Sequence, residues 1–203
     1  MRMRLMICAL FALAAAGQEP KWVSMFDGKT LNGWKETSFT GKGTVKVEDG
    51  AIILSAGGPM TGITWTGEFP KQGYEIRMEA ARLQGNDFFA GITFPVFHTF
   101  CSWINGGWNG EVVGLSSLDG YDASENETSQ RIKFEKGRWY KLRLQVTAER
   151  IAAWIDDQLT FEFAVGSREV DLRYGEIELS KPLGIAAYRT QAGIRKIEYR
   201  VLE

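Results

Sequence analysis

The sequence predicts an all-β protein built as two packed antiparallel sheets. Three observations carry that prediction: apolar residues recur at period two, short turn-forming pieces separate the candidate strands, and no stretch holds a 3.6-residue period over three turns. Tyr74, Ile76, Met78 and Ala80 alternate with Glu75, Arg77 and Glu79, so one row faces a core and the other faces water. The same rhythm places Tyr140, Leu142, Leu144 and Val146 against Lys141, Arg143 and Gln145, and Ile197, Tyr199 and Val201 against Lys196, Glu198 and Arg200. Further strands are expected at residues 44–47, 51–55, 62–66, 88–94, 111–115, 131–134, 151–155, 159–165 and 183–188. Glu48-Asp49-Gly50 and Asp156-Asp157-Gln158 read as hairpin turns. Residues 169–179 come nearest to a helical pattern, yet Val170, Leu172 and Tyr174 again alternate by two.

Composition narrows the class. With 24 basic and 25 acidic side chains in 203 residues, the chain lacks the bulk charge that holds nucleic acid. Its hydrophobic content of 44%, with seven Trp, suffices for one buried core. Arg2 and Arg4 precede an apolar run from Leu5 to Ala16, and Ala14 and Ala16 stand where a signal peptidase reads small residues. Residues 1–16 are therefore expected to be a signal peptide and 17–203 one exported domain, periplasmic or extracellular, without a membrane partner after cleavage. Cys8 falls inside the run, so Cys101 remains as a single thiol and no internal disulfide can form. Asn126-Glu127-Thr128 fits the N-glycosylation pattern.

The least regular stretch, residues 99–128, is rich in Gly, Asn, Asp and Ser and reads as a long functional connection. Of the tryptophans, Trp103 and Trp108 fall in this stretch and are the expected binding platforms, because an indole offers a large, flat apolar face to a ligand. Trp34, Trp65, Trp139 and Trp154 lie in or beside strands and are expected in the core.

Met25-Phe26-Asp27-Gly28-Lys29 followed by Gly33-Trp34 resembles the opening motif of the 3-keto-disaccharide hydrolase family, also described as 3-keto-glucoside lyases and hydratases. Gly85-Asn86, Gly110-Glu111-Val112, Gly137-Arg138-Trp139-Tyr140 and the closing segment from Pro182 to Val201 match later family pieces in order. The chain departs from the family pattern at Asp87, where a serine is usual, at Val113, where a glutamine is usual, and at Ala187 or Tyr188 and Thr190, where a late glutamine and histidine fall. The resemblance implies a jelly-roll sandwich of the concanavalin A-like lectin and glucanase type, acting on glycosides oxidised at C3.

On that resemblance, cleavage needs a base at C2, a donor at the C3 oxygen and an acid at the glycosidic oxygen. Glu111, at a strand mouth, is the candidate base, His98 the candidate acid or metal ligand, and Arg189 the group that steadies charge on the ketone oxygen. Asn86, Trp103, Trp108, Asp119 and Tyr188 are candidate substrate-binding residues. No motif names a cofactor; the candidate cation sets, a divalent ion on His98, Glu111, Asp119 and Asp122 or calcium on Asp119, Asp122, Glu125 or Glu127, have no spacing motif behind them. The rival readings are a non-catalytic lectin-like module and a structural or protein-binding sandwich.

Overall fold

The structure is a computed structural model that describes residues 20–166 and 168–202. The expected signal peptide and Cys8 lie outside the described residues. In chain order the first strands are β1 (Val23–Ser24), β2 (Trp34–Glu36), β3 (Val45–Glu48), β4 (Ala51–Leu54), β5 (Met60–Trp65), β6 (Tyr74–Gln84), β7 (Ala90–Val96) and β8 (Thr99–Gly107). They are followed by β9 (Val112–Ser116), β10 (Gln130–Arg131), β11 (Trp139–Val146), β12 (Arg150–Ile155), β13 (Gln158–Ala164), β14 (Gly184–Tyr188) and β15 (Gln191–Val201). The sole described helical element is a 3₁₀ turn at Glu176–Ser180, so the two-residue alternation at 169–179 does not produce a strand. No described helix is long and apolar enough to cross a membrane.

All described strand pairs are antiparallel and fall into two sheets. One runs β13-β12-β11-β6-β15-β4-β3, with β1 also on β15; the other runs β10-β9-β8-β7-β14-β5-β2. The expected two-sheet sandwich is thus the observed fold. Between the sheets pack the inward rows Ile76, Met78, Leu142 and Leu144 from one side and Ile92, Phe94, Trp103 and Leu115 from the other. Tyr74 spans the gap, its hydroxyl donating to the Pro95 carbonyl at 2.7 Å. Complete burial pushes that phenol well above its ordinary pKa. Cys101 is also sealed in this layer, its thiol pushed by burial up to about 12.

The eight-stranded sheet turns a charged face outward. Glu75 is 1% exposed there, yet it accepts from Arg143 at 3.0 Å, Gln145 at 2.9 Å and Arg200 at 2.6 Å. A carboxylate taken from water in this way needs those partners. Trp139 and Trp154 correct the expectation of core indoles, since they lie half-buried on this outer face beneath Arg195 at 4.0 Å and Arg143 at 3.7 Å. Guanidinium groups stack on the π faces and shield them from water. Trp34 is a core residue as expected, with Trp65 meeting its edge at 5.3 Å.

The seven-stranded sheet differs, because its outer face is also covered. From Cys101 to Gly107 every residue of β8 is buried, so the polar–apolar alternation that marks a half-exposed strand is absent. The irregular stretch expected over 99–128 is therefore a nine-residue strand, a turn, a second strand and only then a loop. Trp103 points inward, 0% exposed, with its edge toward Phe161 at 6.2 Å and its indole N–H without an acceptor. It has no face to offer a sugar.

Replacing Trp103 by Ala should lower unfolding free energy by about 3–5 kcal/mol, as for other buried aromatics. The same change at Trp108 should cost no more than about 0.5 kcal/mol. Urea unfolding of both variants checks the assignment, and equal losses would refute it.

Candidate active site

The outer face of the seven-stranded sheet is lined by small residues. Gly62, Gly91, Gly114, Gly184, Ser102 and Ser116 all occupy it. Small side chains let the chain pass close above. A Cβ at Gly62 would sit 3.0 Å from the Phe39 ring, one at Gly91 3.0 Å from the Phe88 ring, and one at Gly184 2.6 Å from Ser180. Phe39, Phe88, Ala123 and the segment 170–180 form the cover, and between them a cleft of about 350 Å³ remains open. That volume suits a small glycoside.

Its walls carry Trp108, Tyr174 and Tyr188, its floor Ser102, Ser116 and Ile104. Trp108 is 36% exposed and Tyr174 94%, so both have ring surface available to a ligand. The turn bearing Trp108 is fixed from below. Arg82, buried at the end of β6, donates to the Gly110 carbonyl at 3.1 Å and to the Phe134 carbonyl at 2.6 Å. Gly110 has φ +97°, and a Cβ there would fall 2.4 Å from an Arg82 nitrogen, so the turn requires glycine.

Asp87 is the carboxylate at the head of the cleft, in the turn between β6 and β7. Its backbone N–H donates to Thr190 Oγ1 at 3.1 Å, and its Oδ1 accepts from the Phe88 N–H at 2.8 Å. Burial raises its pKa; the Phe88 and Trp108 backbone N–H groups and the charges of Arg189 and Arg82 oppose the rise without cancelling it. A half-buried acid with a raised pKa is suited to proton transfer. Glu176, the other cleft carboxylate, is turned toward the Thr40 N–H, at 3.1 Å from Oε1 and 3.2 Å from Oε2.

The expected site residues divide. Trp108 and Tyr188 line the cleft, and Arg189, exposed beyond Tyr188 with its guanidinium 5.4 Å from that ring, acts electrostatically on Asp87. Asn86 adjoins Asp87 but is exposed and does not line the cleft. Glu111 sits in the turn between β8 and β9, 40% exposed, 4.0 Å from Arg131 and outside the cleft wall. His98 is exposed in the β7–β8 hairpin turn, separated from Trp108 by the whole of β8, roughly 30 Å of extended chain. Asp119 is taken up by a hydrogen-bonded pair with Arg168 and by the Glu169 N–H at 2.7 Å, which together hold its carboxyl below the ordinary range.

Asp122 accepts from Ser116 Oγ at 3.0 Å and pairs with Arg173 at 3.2 Å. Among the described residues no three His, Cys, Asp or Glu side chains gather as a metal ion would require, so the cation sets drawn from the sequence are not assembled. Asn126 is buried and donates to the Leu115, Tyr121 and Asp122 carbonyls, so its amide knits the loop after β9 rather than standing open to a glycan.

Among the residues that build the cleft, sequence reasoning did not select Asp87, Arg82, Arg173 or Tyr174. The first carried a signal, since it stands where the resembling family has serine. Because the folded-state pKa of Asp87 is raised, its ionisation destabilises the fold: the penalty is absent below the ordinary aspartate value of 3.8 and develops as pH rises through the raised value. Asp87→Asn, which keeps an acceptor for the Phe88 N–H, should therefore be more stable than the parent at neutral pH and equal to it in acid. Thermal melts across pH measure this, and a constant difference would contradict it.

Comparisons with known proteins agree with this architecture. No curated protein sequence matches the chain closely enough to count as a relative. A putative glycosyl hydrolase from Parabacteroides distasonis is similar over 90% of this chain and 94% of its own, at 14% identity and a TM-score of 0.59. A laminarinase from a Flavobacterium species covers 89% and 98% at 13% identity and a TM-score of 0.57. The carbohydrate-binding module CBM66 from Bacillus subtilis covers 83% and 95% at 11% identity and a TM-score of 0.54. These likenesses show the jelly-roll, lectin-like fold. The 3-keto-alpha-glucoside-1,2-lyase-like domain matches residues 21–200. The described fold lies almost wholly within that match, and the chain belongs to this sugar-active family of lyases and hydrolases.

Proposed function

We propose that this protein cleaves 3-keto-glycosides with Asp87 as the proton-transfer group. The observation that carries the reading is a raised-pKa carboxylate at the head of an aromatic-walled cleft. A ketone at C3 makes the C2 hydrogen acidic. Asp87 removes that proton, the electron pair forms the C1–C2 double bond, and the C1–O bond to the aglycone breaks. The proton held on Asp87 passes to the departing oxygen, so one residue balances the elimination. Water then adds across the double bond, its hydroxyl at C1 and its proton at C2, to release the free 3-keto sugar.

Arg189, which adjoins Tyr188 and acts on Asp87 through its charge, is the group assigned to steady negative charge on the C3 oxygen. It also makes the ionised form of Asp87 less costly, as the base step requires. Trp108 and Tyr188 hold the ring by stacking. Glu111 and His98 stand away from this geometry and take no step in it. The family match supports the reaction class, and the apolar run Leu5 to Ala16 supports export of the domain.

Asp87→Asn should reduce kcat for a 3-keto-glucoside by about 10²–10⁴-fold, as loss of a general base does, while KM changes little. Full activity in that variant, or an equal loss in Glu111→Gln, would return the base to the β8–β9 turn. A parent protein that binds glycans but consumes no 3-keto-glycoside would leave the lectin-like reading. On the proposed export, protein recovered from outside the cytoplasm should begin at Gly17, as N-terminal sequencing would reveal; a retained Met1 would refute cleavage.

A further inference from the structure

The cleft is chemically divided across the sheet. On the β8–β9 side the floor is Ser102, Ser116 and Ile104, with Arg173 above them, and the polar groups that line the cleft beside its carboxylates lie on this side. Ser102 Oγ is hydrogen-bonded to Thr93 Oγ1 at 3.0 Å, and Ser116 Oγ and Arg173 converge on Asp122. On the β14–β5 side the wall is Met60, Phe88, Ile177 and Tyr188, backed by Phe39 and Ala186 as one apolar cluster. The carboxylate of Glu176 on that side is directed to the Thr40 N–H. Strand β7 lies between these halves, and Asp87 and Trp108 stand at its end of the cleft, over the boundary.

From this partition, and resting on the 3-keto-glycoside reading above, we infer that the polar half holds the oxidised sugar ring and the apolar half holds an alkyl or aryl aglycone. The preferred substrates are then 3-keto-glycosides of apolar alcohols or phenols rather than of a second sugar. A sugar aglycone laid against Met60, Phe88 and Ile177 would lose water from its hydroxyls and find few partners there. An apolar aglycone loses little and gains by burying its surface. Asp87, above the boundary, is placed for a bond that joins the two halves.

The test compares kcat/KM for hexyl 3-keto-glucoside, methyl 3-keto-glucoside and a 3-keto-disaccharide, each in both anomeric forms, on the full chain. Hexanol and methanol leave with nearly equal ease, so their ratio reads the subsite and not the chemistry. The expected result is a hexyl-to-methyl ratio of about tenfold or more, from burial of several methylenes, with the disaccharide no better than the methyl glycoside. Ile177→Asn, and separately Met60→Gln, should bring that ratio toward one, chiefly through KM for the hexyl substrate. A ratio near one in the parent, or a preference for the disaccharide, would overturn the aglycone assignment while leaving the cleavage reaction standing. Absence of turnover on all three would remove the underlying reaction and this inference with it.

Discussion

The cleft depends on a constraint of size: the outward row of the seven-stranded sheet is built from residues too small to fill the space above it. Were Gly62, Gly91 or Gly184 larger, Phe39, Phe88 or Ser180 would be displaced and the cover lifted. Close approach of that cover buries both faces of the sheet. It also confines the remaining space to a pocket whose walls are contributed by separate loops. The opposite sheet solves its exposure differently, by laying paired charges and arginine-capped indoles over the surface.

Two polar groups, one buried and one half-buried, tie those loops together. Arg82 reaches from β6 to the carbonyls of Gly110 and Phe134, and Asp87 gathers backbone N–H groups from its own turn and from the turn that carries Trp108. The same carboxylate thus aligns the walls and, in the proposed reaction, moves the proton. The desolvation that costs stability is also what raises its pKa above the ordinary aspartate range.

Strands with one wet face were legible from sequence, because each alternates between core and charge: Tyr74 to Ala80 and Tyr140 to Val146 are the clearest. Strand β8 was not, since the segment 170–180 and the loop after β9 hide its outer residues and erase the alternation. For the same reason Trp103 looked like a loop platform and proved to be core. Trp108 and Tyr188, singled out in the sequence as binding aromatics, both line the cleft. Asp87 was noticed only as a departure from a motif, because nothing local distinguishes a turn aspartate that caps its own backbone from one that a distant loop will half-bury. Glu111 drew notice by the resemblance and its place at a strand mouth, and His98 by residue type; neither signal reports whether a side chain will reach the cleft.

One further consequence lies in the sandwich interior. Cys101 is the one thiol among the described residues, it is wholly enclosed, and its ionisation is suppressed by the surrounding hydrocarbon. Thiolate is the form that oxidants and mixed disulfides attack. The described fold consequently holds no disulfide that a reducing medium could open, and its one thiol is shielded from exchange.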